Sequence, residues 1–377
     1  MSKEIAIEDL VAPSVRGLQP YVPGKPISEL EREYGVHDVV KLASNENPLG
    51  PGPRARAAMS EALGEIGLYP DGSGFDLKRQ LAAHHHIAPE CLTLGNGSND
   101  VLVLLAEAFL TPATEAVYSQ YCFAVYPIVV QASGATARVI KALPADAEMP
   151  LGHDLDAMAQ AITAKTRLVF IANPNNPTGT WIGPERLLTF LKALPSATIA
   201  AVDEAYFEYS RATDCPDATE WLEELPNLVV LRTFSKAYGL AGLRVGYAIS
   251  QPAVAETLNR LRQPFNVNTV ALAAATAALA DPAHLRNSVE LNRASLEELR
   301  AGLGRLGLKV LPSAGNFVLV DLGRPAGPVF EGLLRRAVIA RPVGNYGLPN
   351  HLRITSGTLE QTRRAIEALG AVLRNPS

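Results

Sequence analysis

Arg167-Leu-Val-Phe-Ile-Ala172, followed at once by Asn173-Pro-Asn-Asn-Pro-Thr-Gly179, decides the fold. The first piece is apolar after its opening arginine and does not alternate, which reads as a strand covered on both faces. The second holds two prolines and a glycine, residues that fix a rigid turn and present asparagine side chains at the strand's carboxyl edge. Working outward, Ala116–Tyr118, Thr198–Val202 and Asn227–Thr233 have the same apolar texture, with helical patterns between them. Strands alternating with helices predict parallel pairing through right-handed crossovers, and ligands bound beyond the carboxyl ends. The chain is read as α/β.

Composition bounds the rest. A length of 377 residues exceeds the roughly 150 of one domain. With 34 basic against 38 acidic residues the net charge is −4, which supplies neither a nucleic-acid face nor a polybasic membrane surface. Hydrophobic residues at 47% and charged ones at 19% exclude wholesale disorder. Cys91, Cys122 and Cys215 match neither a disulfide framework nor a zinc site, so no metal is expected. Met1–Leu10 shows no apolar signal region, and the longest apolar run, Thr269–Ala280, is too short for a bilayer. A soluble cytoplasmic protein is expected.

Three segments are expected. Residues 1–45 form an arm joining the small domain, interrupted by Pro13, Pro20, Pro23 and Pro26, with one short helix around Ser28–Tyr34. Residues 46–265 form the large ligand-binding domain, and 266–377 a small α+β domain after a hinge at Gln263–Asn268. In the latter, Leu291, Leu296, Leu299, Leu303 and Leu306 make a helical stripe. Strands are predicted at Leu308–Leu311, Asn316–Leu322, Val338–Arg341 and Leu352–Thr355, and a last helix opens with the capping box Thr358-Leu-Glu-Gln361.

Two further strand ends carry polar clusters. Asp203-Glu-Ala-Tyr206 follows Thr198–Val202; a carboxylate entered from a buried strand is costly unless it faces a cation or a ligand. Ser235-Lys236 follows Asn227–Phe234, and among nine lysines Lys236 alone succeeds a buried strand end. Shielded there, it can lose its proton and form a Schiff base with a carbonyl. Thr233, Ser235 and Arg244 offer the hydroxyls and fixed charge that suit a phosphate. Leu94-Gly-Asn-Gly-Ser-Asn-Asp100 opens a helix whose first N–H groups, on Ser98 and Asn99, suit an anion. It matches neither Gly-x-Gly-x-x-Gly nor a P-loop, which sets dinucleotides and nucleoside triphosphates aside.

Taken singly, each cluster has a plainer reading: an Asn/Pro turn, a capping aspartate, a surface lysine. Together they ask for a phosphate, a carbonyl and a ring nitrogen, which pyridoxal 5′-phosphate supplies. A carboxylate about 4 Å from a protonated ring nitrogen gains roughly 4 kcal/mol at an effective dielectric near 20.

On these residues the chain resembles the fold-type I pyridoxal-phosphate aminotransferases, and within them the histidinol-phosphate aminotransferase family. The likeness runs from Leu18-Gln-Pro-Tyr21 through Lys41-Leu-Ala-Ser-Asn-Glu-Asn-Pro-Leu-Gly50, Tyr69-Pro-Asp-Gly72, Asn173–Gly179 and Ala241-Gly-Leu-Arg244 to His351-Leu-Arg-Ile-Thr355. It implies a mostly parallel seven-stranded sheet flanked by helices, and a homodimer with shared sites. It implies that Lys236 carries the cofactor and moves the proton, that Asp203 pairs with the ring nitrogen, and that Asn176 and Tyr206 bond the ring 3-oxygen. By the same likeness Tyr121 stacks on the ring, with Phe123 as fallback because Ser119-Gln-Tyr121 departs from the usual Pro-Thr-Tyr. Ser98, Asn99, Thr233, Ser235 and Arg244 would hold the phosphate, with Tyr69 arriving from the second subunit. Arg353 would clamp the substrate's anion, and Tyr21, Asn47 and Arg341 are further substrate-site candidates. The implied partners are a small amino donor and a 2-oxo acid. Competing readings are an aromatic aminotransferase for phenylalanine or tyrosine, a threonine-phosphate decarboxylase, and a regulator that borrowed the fold.

Overall fold

The computed structural model describes residues 7–374. The first six residues of the expected arm and the last three of the expected small domain lie outside the described residues. A short strand, β1 (Val40–Lys41), precedes the seven of the main sheet: β2 (Leu92–Gly95), β3 (Glu115–Ser119), β4 (Thr136–Ile140), β5 (Thr166–Ala172), β6 (Ile199–Asp203), β7 (Leu228–Thr233) and β8 (Gly246–Ser250). Their order across the sheet is β2-β8-β7-β6-β5-β3-β4. All run parallel except β8, which is antiparallel to both of its neighbours.

The unbroken apolar texture of these strands has its cause in two cores. Val169 and Ile171 join one cluster with Val202, Val230 and Ile249. Leu168, Phe170 and Ala172 point the other way, to a second cluster with Ala201, Leu231 and Tyr126. Period-two alternation thus feeds both faces, each covered by helices. The edge strand β4 is half exposed and lacks that texture, which is why the sequence does not announce it.

The remaining strands are β9 (Lys309–Val310), β10 (Phe317–Asp321), β11 (Val338–Ile339), β12 (Arg341–Val343) and β13 (Leu348–Thr355). Four of them form an antiparallel sheet in the order β12-β13-β10-β9, while β11 pairs with β1. The single strand expected over Val338–Arg341 is therefore two, which go to different sheets. The leucine-striped helix, Pro282–Arg305, begins well before its stripe and ends at it, with Leu306 as its C-cap, and buries Leu296, Leu299 and Leu303 with Val318 and Val320.

Beyond the expected break at 265/266, the helix Thr269–Leu279 packs with the large sheet: Ala271, Ala274, Ala275 and Ala278 belong to its core. The change from one core to the other falls near Asp281, which caps the following helix. The arm carries the expected short helix, Ile27–Tyr34, whose Leu30 is buried with Ala43, Leu334 and Ile339. Among the described residues no helix is long and apolar enough to cross a membrane.

Candidate active site

Because β2, β3, β5, β6 and β7 all run the same way, their carboxyl ends meet at one edge, and each is followed by a polar segment. At that edge lies a cavity of about 400 Å³. Of the residues singled out in the sequence, it is lined by Ser98, Asn99, Asn176, Asp203, Tyr206, Thr233, Ser235, Lys236, Arg244, Arg353 and Tyr21.

Lys236 is largely but not wholly buried, and among the described residues its Nζ finds only the Ser44 carbonyl, at 3.5 Å. Burial, with Arg353 and Arg244 adding to it, lowers its ammonium to about 8, so a neutral amine lies within reach at ordinary pH. Asp203 ends β6, and burial raises its carboxyl to about 6. Its Oδ2 accepts from Tyr126 Oη at 3.0 Å and its Oδ1 from Ala205 N at 3.2 Å. Tyr126 itself stacks on Phe170 with ring centroids 4.7 Å apart, so the donor is held by packing.

The anion end is built from three segments. Gly97, at φ 80°, turns the chain into the helix Ser98–Phe109. A Cβ on Gly97 would stand 2.5 Å from Arg244 Nη2, and one on Gly246 would stand 2.3 Å from Ser98 N. Only glycine allows so close an approach. Arg244 Nη1 donates to Ser235 Oγ at 3.2 Å, and Ser235 N donates to Thr233 Oγ1 at 3.1 Å. Helix N–H groups, two hydroxyls and a guanidinium converge, the donor set of a phosphate site.

Arg353, on β13, reaches the cavity from the small sheet. Its Nη1 donates to Asn176 Oδ1 at 2.6 Å and its Nη2 to Ala43 O at 2.7 Å. Among the described residues its Nε is buried without a partner, a donor that an anion in the cavity would satisfy.

Four of the sequence candidates stand elsewhere. Tyr121 does not line the cavity; with Leu151 and Tyr346 it packs on Leu311, Leu319, Val343 and Leu348, and Phe123 takes the cavity wall. Asn47 spends its amide on Ala237 O and Ser288 Oγ, both at 2.8 Å, bracing the loop after Lys236. Arg341 lies opposite Arg353 across the strand pair, but its Nη2 is held by Val22 O at 2.6 Å. Tyr69 is 83% exposed and stacks on Phe265.

The sequence reading missed three contributors. Tyr126 reads as one more apolar residue of Val125–Ala132, and Asn45 shares a motif with the singled-out Asn47. Arg232 is buried against Glu204 at 2.7 Å and Asp217 at 2.6 Å, which ties the ends of β6 and β7 together beside Asp203 and Thr233. An arginine inside the run Asn227–Thr233 is its only sequence signal.

A family model described as aminotransferase class I and II matches residues 37–369. The chain is 57% identical over 369 residues to histidinol-phosphate aminotransferase 2 of Methylococcus capsulatus, covering 98% of this chain and 100% of that one. It is 53% identical over 366 residues to histidinol-phosphate aminotransferase 2 of Pseudomonas aeruginosa, covering 97% and 98%. Among solved structures, histidinol-phosphate aminotransferase from Sinorhizobium meliloti in complex with pyridoxal-5′-phosphate superposes with a TM-score of 0.88 at 30% identity, covering 97% of this chain and 98% of that one.

Proposed function

The chain belongs to the class I and II aminotransferases, and from that membership we propose that it moves the amino group of L-histidinol phosphate to 2-oxoglutarate, with pyridoxal 5′-phosphate as carrier. The observation that carries the reading is one cavity with a largely buried, readily neutralised lysine between two arginines, Arg244 at one anion site and Arg353 at another. The donor set fits the cofactor: Ser98, Asn99, Thr233, Ser235 and Arg244 for its phosphate, Asp203 for its ring nitrogen, and Asn176 and Tyr206 for its 3-oxygen. Phe123, which lines the cavity where Tyr121 does not, would cover the ring. When bound, the cofactor supplies a carbonyl that takes up the amino group and a ring that stores the electron pair freed at the donor's Cα.

The chain's own part is binding and proton transfer. Lys236 would hold the cofactor's carbonyl, and its Nζ, once free and neutral, would take up the proton from the donor's Cα and give it back. Asp203, favoured in its ionised form by Tyr126 and Ala205 N, would hold the ring nitrogen protonated. Arg353 grips the donor's phosphate, and then the acceptor's carboxylate, a bidentate task suited to guanidinium.

Leu63, Ile66, Leu68 and Tyr69 are exposed together, an apolar surface of the sort that marks an interface. We read it as the contact of a homodimer in which Tyr69 enters the partner's site, and we place the enzyme in the cytoplasm. Mixing Lys236→Ala chains with Tyr69→Ala chains would then form one intact site per mixed dimer and restore activity that neither has alone. Mixtures as inactive as their components would reject the shared site.

Glutamate formed from 2-oxoglutarate tests the function, with L-histidinol phosphate, L-phenylalanine or L-threonine phosphate as donor and carbon dioxide followed in parallel. Histidinol phosphate should exceed the others in kcat/KM by at least about tenfold. Comparable rates with phenylalanine would make the protein an aromatic aminotransferase, and carbon dioxide without glutamate would make it a decarboxylase.

A further inference from the structure

Asn45 sits where the arm meets the cavity. It lines the cavity, is 1% exposed, and holds φ at 56°, a left-handed conformation that asparagine tolerates better than most residues. Its polar groups are committed. Asn45 N donates to Thr355 Oγ1 at 3.0 Å, and that hydroxyl donates back to Asn45 Oδ1 at 3.0 Å. Asn45 O accepts from Asn316 Nδ2 at 3.0 Å. The remaining group, Nδ2, donates to Tyr206 Oη at 2.8 Å.

The direction of that last bond matters. A tyrosine oxygen that accepts from an amide has its own proton free for another acceptor. Tyr206 is buried, with its ring edge-to-face on Phe317 at 5.3 Å, and among the described residues Asn45 is the side chain that bonds its hydroxyl. Thr355 lies two residues beyond Arg353 on β13, so both side chains leave the same face of one strand. A continuous chain of hydrogen bonds runs from the strand that carries Arg353, through Thr355 and Asn45, to Tyr206.

We propose that Asn45 is a positioning residue: it turns the Tyr206 hydroxyl proton into the cavity, and through Thr355 it fixes that hydroxyl to the strand bearing Arg353. The inference rests on the cofactor reading above, in which Tyr206 donates to the ring 3-oxygen. Asn45 then sharpens a donor to an anionic oxygen without touching the cofactor itself, because linked hydrogen bonds polarise one another.

The test is a double-mutant cycle read by spectroscopy. Asn45→Gly keeps the left-handed backbone and removes the amide. Tyr206→Phe removes the hydroxyl through which Asn45 acts. For each protein loaded with pyridoxal 5′-phosphate, the pH midpoint of the bound cofactor's absorbance change and the cofactor's dissociation constant are measured. The charged and titratable groups facing Tyr206 are Lys236, Asp203, Arg353 and Tyr346, and all four are common to every variant. Losing the amide weakens donation to the anionic 3-oxygen, so Asn45→Gly should raise the midpoint by about half a pH unit and weaken binding a few-fold. In the Tyr206→Phe background the same substitution should shift neither. Thr355→Val, which frees the Asn45 amide to turn, should shift the midpoint the same way by less, again only when Tyr206 is present.

Equal shifts in both backgrounds, or none with Tyr206 intact, would overturn the proposal. Should Asn45→Gly fail to fold, the Thr355→Val pair of measurements decides by the same criterion. A wild-type protein that shows no cofactor spectrum would instead reject the functional reading on which the inference stands.

Discussion

Replacing Tyr126 by phenylalanine removes one hydroxyl and keeps the ring that stacks on Phe170. The hydroxyl donates to Asp203 Oδ2 at 3.0 Å, and both groups are buried. Burial sets the Asp203 carboxyl at about 6, with the Tyr126 hydroxyl, the Ala205 N–H and Lys236 opposing it. Without the hydroxyl an ionised Asp203 loses a charge-assisted hydrogen bond of about 1.5–3 kcal/mol, whereas a protonated one loses an ordinary bond of about 0.5–1.5 kcal/mol. The folded value therefore climbs further from the unfolded 3.8. An acid raised by folding binds more protons in the folded state, so stability falls as pH rises from 3.8 through the folded value. In the wild type that fall ends just above pH 6; in the variant it continues.

The apoprotein of Tyr126→Phe should accordingly be weaker by about 1 kcal/mol at pH 5 and about 2 kcal/mol at pH 8. An unfolding entropy of about 2.1 cal/mol/K per residue turns the larger figure into about 2–3 °C of Tm for a chain of this length. Calorimetry of both apoproteins at several values across that range measures it. A deficit independent of pH, or one largest at pH 5, would refute the assignment of Tyr126 as the group that holds Asp203 ionised.

Lys236→Ala should slow turnover about a thousandfold or more in steady-state assays. Burial depresses this lysine from 10.5 to about 8, so stability is lost as pH falls through that window, and the alanine apoprotein should melt no lower than wild type at pH 7. Gly97→Ala forces a side chain at φ 80° against Arg244, and cofactor titration of the apoprotein should show binding weakened about tenfold or more. Arg353→Lys loses the planar fork shared with Asn176 and Ala43, and the donor KM should rise roughly tenfold with a smaller change in kcat.

What could be read in the sequence is what a buried parallel sheet writes there. Apolar runs that end abruptly in Asn173, Asp203 and Ser235-Lys236 pointed to three segments that line the cavity, because unpaired polar groups at such ends are costly. Phe123 lines the cavity and Tyr121 does not because the loop after β3 turns between them, so that residues two apart face different cores. The sequence singled out Asn47, whereas Asn45, with its left-handed backbone, is the one that lines the cavity. Arg341 and Arg353 look alike in the sequence, but Arg341 turns to the arm's Val22 carbonyl and the Tyr21 ring while Arg353 lines the cavity. The helix Thr269–Leu279 is apolar nearly all round, so its sequence could not say which core it joins. Tyr126 reads as core, which it is; its hydroxyl's partner comes from β6, 77 residues on.

The most direct test of the central claim is a single half-reaction. Protein loaded with pyridoxal 5′-phosphate is mixed with L-histidinol phosphate and no 2-oxo acid, and the cofactor's absorbance is followed. Transamination predicts rapid and complete loss of the carbonyl form's absorbance, its recovery on adding 2-oxoglutarate, and neither change in Lys236→Ala. An unchanged spectrum with the wild-type protein, or the same change in Lys236→Ala, would contradict it.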